Sequence, residues 1–135
     1  MPEDAPPGVD YAALSDFRHA LRCFVLFSEQ RAAEHGLTAQ QHQALLAIRG
    51  APGAQVTIGF LAERLAIKPH SASGLVSRLG ALGLVARVES AQDRRQTPIA
   101  LTPRAMELLA GLSATHQEEL RRLRPMFTAL LTRLD

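Results

Sequence analysis

The chain has 135 residues, of which 47% are hydrophobic and 21% charged, with one cysteine and no tryptophan. This composition is typical of one soluble domain that buries its own core without an internal disulfide. No apolar run approaches the roughly 20 residues that cross a bilayer, and the acidic, proline-rich start is unlike a secretory signal. The composition therefore predicts a cytoplasmic protein with no membrane partner.

The net charge is only +2, but the charges are unevenly distributed along the chain. Residues 1–67 contain five basic and seven acidic residues, whereas residues 68–104 contain six basic and two acidic ones. The last 31 residues are balanced, with four of each sign. The basic excess is confined to the central third, which is the pattern expected when one region meets a polyanion.

Two helices are predicted in the first part of the chain, after a disordered tail over residues 1–9. The first helix begins after Asp10, a good N-cap, and stops before Gly36. Its apolar residues spread beyond one face, so it needs cover on more than one side. The second helix begins at a capping box, Thr38 to Gln41, and ends at Gly50.

A short strand near Val56 and two short helices separated by a tight turn are predicted next. The second of these helices begins at Pro69, whose missing N–H costs nothing in the first turn, and stops before Gly83. The residues predicted to face the core are Phe60, Leu61, Ala62 and Leu65 in one helix and Ala72, Leu75, Val76, Leu79 and Leu82 in the other.

The hydrophobic period then changes to that of a β-hairpin with a charged tip, formed by strands at 84–88 and 97–101. Pro98 cannot donate to a ladder, so its strand is predicted either to be an edge or to place that residue on the unpaired side. A last long helix follows the N-cap Thr102, and Pro125 is predicted to kink or restart it.

This order of elements is a winged helix-turn-helix, a mostly α fold with a small β-hairpin wing. Ala62 and the turn at 66–69 supply the small residue and tight turn that the crossing helices need. The second helix of the motif turns a polar face without a carboxylate outward, and such a face can lie in a major groove of DNA. A merely solvated face would normally carry some Glu. The predicted DNA contacts here are Lys68, His70, Ser71, Ser73, Gly74, Ser77 and Arg78.

Over roughly residues 11–135, the chain resembles the MarR (multiple antibiotic resistance regulator) family of winged-helix transcription factors. Any one segment alone is weak, but the charged wing followed by Leu-Thr, after a helix-turn-helix, is a specific combination. The family commonly has Gly where Ala105 stands, and Ala suits a helix interior. The segments that resemble the family are Gly36 to Gln41, Leu61 to Leu65, Leu82 to Arg87, Asp93-Arg94-Arg95 and Leu101-Thr102-Pro103.

The resemblance implies one domain over 10–135, with dimerisation helices at 10–50 and 103–135 around a winged helix-turn-helix at 54–102. It further implies a homodimer that binds a pseudo-palindromic operator in double-stranded DNA, as a repressor, and that a small ligand often releases. The residues independently favour a dimer, because two helices with wide apolar stripes at opposite ends of the chain need a second copy or other cover.

The wing residues take specific roles from the same resemblance. Arg95 is expected to enter the minor groove, oriented by Asp93, and Arg94 to touch phosphate. A carboxylate two residues away on a hairpin tip can hold a guanidinium through a charge-assisted pair, and the narrow minor groove supplies negative potential. The alternative is a charged turn that only keeps the protein soluble.

Cys23 is the one candidate for a redox sensor. The segment from Arg22 to Phe27 resembles the reactive-cysteine segment of the organic-hydroperoxide sensors of this family, so a Cys-based redox regulator is an alternative function. The tyrosines that would bind the thiolate are missing, since Tyr11 is the only Tyr. A single Cys on an apolar helix is more often a buried small hydrophobe.

The five histidines have no compact metal-ligand spacing, so the sequence predicts no metal and no cofactor. His116, on the apolar seam of the last helix, is expected to be satisfied by a backbone carbonyl or by a partner chain. A small organic effector would occupy the apolar cleft between the first, second and last helices. The predicted lining residues of that cleft are Phe17, Phe24, His42 and His116.

Other functions have less support in the sequence. No phosphate-binding glycine loop or nucleophile motif indicates an enzyme. The aromatic residues all fall outside the basic segment, where they cannot stack on single-stranded RNA. The remaining rival is a winged helix used as a protein-interaction module, which would bind DNA without sequence preference.

Overall fold

The computed structural model describes residues 8–88 and 97–134, so most of the predicted tail and the tip of the hairpin lie outside the described residues. Within this part, helices surround a small sheet, as predicted. The elements are α1 (Tyr11–Glu34), α2 (Ala39–Gly50), a 3-10 turn (Pro52–Ala54), β1 (Gln55–Val56), α3 (Ile58–Leu65), α4 (Pro69–Ala81), β2 (Val85–Arg87), β3 (Ile99–Leu101) and α5 (Pro103–Thr132).

Short polar side chains fix where four of the helices begin. The Asp10 carboxylate accepts a hydrogen bond from the amide of the third residue of α1, at 2.9 Å. Thr38 and Gln41 form the predicted capping box at α2, with reciprocal bonds of 3.1 and 3.0 Å. Thr57 and Thr102 cap α3 and α5 in the same way. The boundaries therefore follow from local chemistry that the sequence displays.

The sheet is antiparallel with the order β1-β3-β2, which makes β3 the central strand. Of the two alternatives predicted for Pro98, the edge strand is therefore wrong. Pro98 precedes β3 and faces β2, since its carbonyl accepts a hydrogen bond from the Val88 N–H at 2.8 Å. Its missing N–H removes a donor only at the end of the ladder, and the two-residue strand β1 pairs with the other side of β3.

One apolar core joins α2, α3, α4, the sheet and the first half of α5. Phe60 and Leu82, which the helical period assigned to this core, are 40% and 45% exposed. Phe60 lies in the first turn of α3, beside a surface groove against α2, and Leu82 follows the last turn of α4, where the period no longer holds. The fully buried large side chains are Leu45, Ile48, Leu61, Leu75, Leu79, Ile99 and Leu112.

Helix α5 continues through Pro125 as one helix, so of the predicted kink or restart the restart is wrong. A proline removes one hydrogen bond from a helix, but packing against a neighbouring helix can hold the turns on either side of it in place. The Phe127 ring packs edge-on against Phe17 of α1, with ring centroids 5.6 Å apart, and Leu130 is buried.

Helices α1 and α5 lie side by side and are joined at their ends by Arg133, which pairs with Asp10 at 3.3 Å and Asp16 at 3.5 Å. Nevertheless, much of their apolar surface is exposed, as the wide stripes of the sequence predicted. Among the described residues, no helix combines the length and apolarity needed to cross a membrane. The exposed large apolar residues of these two helices are Tyr11, Leu14, Leu21, Val25, Leu26, Met106, Leu120, Met126 and Leu131.

Candidate nucleic-acid interface and effector cavity

Helix α4 has one buried face and one exposed polar face. Ala72, Leu75, Val76 and Leu79 of α4 lie in the core. The six predicted DNA-contacting residues of α4 lie on the other side: all are exposed except Gly74, which is half-buried, and Lys68 just before the helix is exposed as well. The structure thus places together every candidate that the sequence assigned to this helix.

The turn between α3 and α4 fixes how α4 is presented. Ala66 adopts a left-handed conformation with φ of 55°, and the next amide, of Ile67, donates to the Ala62 carbonyl at 2.9 Å. Ala62 itself is buried at the helix crossing, as predicted. No side chain caps α4, so the amides of its first turn remain available as hydrogen-bond donors at the positive end of the helix dipole.

The exposed face of α4 has a positive charge and no nearby carboxylate in the sequence. No Asp or Glu occurs between Glu63 and Glu89. The Arg78 side chain runs back along the helix, so that a Cβ placed on Gly74 would lie 3.4 Å from its Nη1. The glycine therefore leaves space on the exposed face in which the guanidinium lies.

The residues between β2 and β3 that the sequence assigns to the tip of the wing lie outside the described residues. Asp93, Arg94 and Arg95 all belong to this tip. The described part of the hairpin extends to Val88 on one strand, and β3 begins at Ile99 on the other. The roles assigned to the three wing residues remain predictions.

Helices α1, α2 and α5 enclose a cavity of about 510 Å³. Phe24, His42 and His116 line it, as expected for the effector cleft. Phe17 does not, because it lies two helical turns, or about 10 Å, before Phe24 and packs against Phe127 instead. The remaining lining residues are Val25, Ser28, Glu29, Gln43, Leu46, Ser113, Gln117 and Leu120.

Two histidine rings form a polar site in this apolar cavity, with centroids 4.8 Å apart. His116 Nδ1 donates to the Leu112 carbonyl at 2.7 Å, as expected for a histidine on an apolar seam, and its Nε2 shares a hydrogen bond of 2.9 Å with the Ser28 hydroxyl. The sequence pattern missed Ser28, which is an ordinary polar residue until α1 meets α5.

His42 is only 3% exposed, and its Nδ1 has no hydrogen-bond partner within the described part of the chain. Burial lowers the pKa of His42, and the neighbouring His116 and His35 lower the pKa further. His42 is therefore held in its neutral form near pH 7. An unpartnered buried polar atom is uncommon in folded proteins and indicates a place where a ligand or water is bound.

Cys23 is exposed, which corrects the expectation of a buried small hydrophobe. It lies in a groove between α1 and α5, and its Sγ is 3.6 Å from Nε2 of His19, one turn earlier. The helix turns this residue toward the groove because α5 covers the adjacent face of α1. Over residues 8–88 and 97–134, no group of three or more His, Cys, Asp or Glu side chains could hold a metal ion.

Part of the chain matches a known protein family. The model of the MarR family matches residues 35–96, which include α2, α3, α4 and β2 and end before β3. Residues 35–96 thus match the MarR family in sequence, and the chain has the winged-helix fold of solved MarR family proteins. The family match covers slightly less than half of the chain, and the rest of the fold is shared with solved MarR family structures.

Three solved structures illustrate this similarity. A MarR repressor from Listeria monocytogenes is 25% identical over 88% of this chain and 93% of its own, with a TM-score of 0.68. A MepR variant from Staphylococcus aureus, bound to an oligodeoxyribonucleotide, is 21% identical over 94% of this chain and 99% of its own, with a TM-score of 0.71.

NadR, solved in complex with 4-hydroxyphenylacetate, is 20% identical over 99% of this chain and 97% of its own, with a TM-score of 0.71. At these identities, the MepR and NadR structures establish the fold of this chain and nothing further. No curated protein sequence matches the chain.

Proposed function

We propose that this protein is a homodimeric transcriptional regulator that binds double-stranded DNA and catalyses no reaction. The observation that carries the proposal is the two-sided character of α4: one side is core, and the other presents serine, histidine and arginine without a carboxylate. The match of residues 35–96 to the MarR family and the DNA-bound structure of the similar MepR variant support it. A DNA target places the protein in the cytoplasm.

In this proposal α4 lies in the major groove. Serine hydroxyls and the first-turn amides of α4 donate to phosphate oxygens, and Lys68 adds a charge at the same end. Arg78 and His70 are the longest donors on the exposed face, and they reach base edges. Gly74 lets the helix backbone approach the groove closely.

The wing extends the contact into the minor groove. Arg95 inserts there, Asp93 orients its guanidinium, and Arg94 binds phosphate. The reason is electrostatic, because a narrow minor groove concentrates negative potential that attracts arginine. Reading two grooves from one rigid lobe fixes the register of the protein on the duplex.

The exposed apolar surface of α1 and α5 supports the homodimer. Tyr11, Leu14 and Leu131 lie near the ends that Arg133 and Asp10 join, and burying them against a second copy removes this apolar surface from water. Two-fold symmetry then presents two α4 helices about 34 Å apart, or a multiple of it, to a pseudo-palindromic operator. Occupying a promoter in this way represses transcription.

The cavity between α1, α2 and α5 is the proposed effector site. Its apolar walls suit the body of a small organic molecule, and the unpartnered Nδ1 of His42 and the Ser28 hydroxyl, which His116 holds in place, offer hydrogen bonds to a polar end. NadR, which shares the fold, was solved with such a molecule. A ligand that fits the cavity better in one arrangement of the three helices shifts the protein away from its DNA-bound form.

Selection of genomic fragments by the purified protein at physiological salt tests the proposal. The expected result is enrichment of an inverted repeat. Ser73→Glu, which places a carboxylate on the exposed face of α4, should abolish the enrichment, whereas Gln40→Glu in the exposed first turn of α2 should not. Fragments recovered without a common sequence would instead identify a protein-interaction module.

A further inference from the structure

The carbonyl end of α4 is held by the first turn of α5. Three consecutive carbonyl groups follow the helix, and each accepts a hydrogen bond from α5 or its cap. Arg104 Nη1 donates to Leu82 O at 3.1 Å, and Thr102 Oγ1 donates to Gly83 O at 2.7 Å. The Thr102 amide donates to Leu84 O at 3.1 Å. Thr102 and Arg104 thus bind all three carbonyl groups that follow α4.

The end of α4 is already closed by its own backbone, so these bonds serve a different purpose from capping. Gly83 has φ of 74°, its amide donates to Gly80 O at 3.0 Å, and the Leu84 amide donates to Leu79 O at 3.0 Å. This is a complete glycine-terminated helix end. The bonds from α5 are added to it and connect α4 to a different helix.

Arg104 has an exposed side chain in the basic segment, where a phosphate contact would be the ordinary interpretation. Its guanidinium instead lies over the α4 exit, since a Cβ added to Gly83 would be 3.8 Å from Arg104 Nη1. A cation at this place also interacts favourably with the negative end of the α4 dipole.

We infer that Thr102 and Arg104 are positioning residues that fix the angle between α4 and α5. This inference rests on the proposed function. The far end of α5 carries Leu131 of the proposed dimer surface, and its middle carries His116 of the cavity. The junction at Thr102 therefore couples the position of α4 to the dimer surface and to the cavity. The two α4 helices of a dimer must lie at a fixed spacing to contact both half-sites of the DNA. If the junction is loose, part of the binding free energy is lost in ordering α4.

The first test measures affinity for the duplex recovered by the wild-type protein, as a function of salt. Thr102→Val and Arg104→Ala should each weaken binding about tenfold. The slope of log K against log salt should stay unchanged, because no phosphate contact is lost. Thr102→Ser, which keeps the hydroxyl, should restore wild-type affinity. A slope reduced by about one in Arg104→Ala would identify a phosphate contact and overturn the positioning role of Arg104.

Thr38→Val is the matched control. It removes the same kind of N-cap from α2, with a comparable loss of helix stability, but it touches neither α4 nor the turn after it. Binding by this variant should stay within about twofold of wild type. If Thr38→Val weakens binding as much as Thr102→Val, general destabilisation explains both effects and the inference fails.

Hydrogen exchange of the free protein separates this inference from the proposed function. In Thr102→Val and Arg104→Ala, the amides of Leu82, Gly83 and Leu84 should exchange faster, while those in the middle of α4 change little. Unchanged exchange at the three amides would overturn the inference even if the variants bind DNA poorly. If the selection recovers no duplex, the proposed function fails, and the exchange result still decides whether α5 holds α4.

Discussion

The winged-helix lobe, residues 54–102, and the pair of terminal helices α1 and α5 differ in how far they bury their large apolar side chains. In the lobe, large side chains such as Leu61, Leu79 and Ile99 are fully buried within one chain. In α1 the buried residues are three alanines, whereas Leu26 is 52% exposed. The lobe therefore buries its large apolar side chains within the chain, in a core shared with α2 and the start of α5, whereas the exposed apolar side chains of the terminal helices need a further surface to cover them.

Truncating the lobe core should have the largest effect. Leu79→Ala removes a fully buried side chain of α4 and should lower the free energy of unfolding by about 2–5 kcal/mol. Leu82→Ala, at a 45% exposed position just after the same helix, should cost less than about 1 kcal/mol. Denaturant titration at fixed protein concentration measures both. Equal losses would mean that the lobe is not the better packed region.

Placing a charge on the terminal helices should break the dimer without unfolding the chain. Leu131→Asp puts a carboxylate on the proposed interface, and the dimer dissociation constant should rise at least about 100-fold, because an unpaired charge resists burial. Sedimentation equilibrium measures this constant, and circular dichroism reports whether the helices persist. Wild-type protein that sediments as a monomer at micromolar concentration would contradict the assignment of this surface.

Removing the wing arginine should affect DNA binding alone. Arg95→Ala should weaken operator binding by at least about tenfold and leave the dimer intact, since the hairpin tip and the terminal helices serve separate contacts. Binding isotherms and sedimentation of the same samples measure the two properties. An unchanged isotherm would remove Arg95 from the interface.

A smaller effect, an increase in the free energy of unfolding, is expected at the turn that orients α4. Ala66→Gly relieves the cost of a left-handed backbone at a residue with a Cβ, so the free energy of unfolding should rise by about 1 kcal/mol. Ala110→Gly, at an exposed site inside α5, should lower it by a similar amount. Thermal or denaturant unfolding of the pair gives the comparison, and a loss in Ala66→Gly would show that the turn is not strained.

The smallest effect concerns the histidines between the two regions. Since the pKa of His42 is lowered in the folded protein, the unfolded chain, with a histidine pKa of about 6.5, binds this proton more readily. The free energy of unfolding should therefore fall as the pH decreases from about 7 to about 5. His42→Gln should reduce this decline, while His19→Gln on the exposed surface should preserve it. An identical decline in His42→Gln would remove His42 as its source.

The helix boundaries and the exposed face of α4 could be predicted because they depend on neighbours in sequence. Thr38 and Gln41 cap α2 within one turn, and Pro69 and Gly83 limit α4 from either end. The same short range explains the errors. Leu82 follows the period of α4 in the sequence but lies beyond its last turn.

Contacts between distant segments were not predictable in the same way. Phe17 and Phe24 look equivalent in the sequence, yet one packs on Phe127 and the other lines the cavity. Ser28 gains a role only when α5 places His116 beside it, 88 residues away. In the sequence Arg104 is one more charge of the basic segment, and its hydrogen bond to Leu82 O depends on the contact between α4 and α5.

The sequence by itself determined the order of the elements, the winged helix-turn-helix and the segment where positive charge gathers, because caps, turns and periodicity are local properties. The tertiary structure decided which side chains share the cavity, that Pro98 precedes a central strand, and that the first turn of α5 holds the end of α4. These depend on how helices far apart in the chain pack together, and the shape of that packing is a property of the whole core.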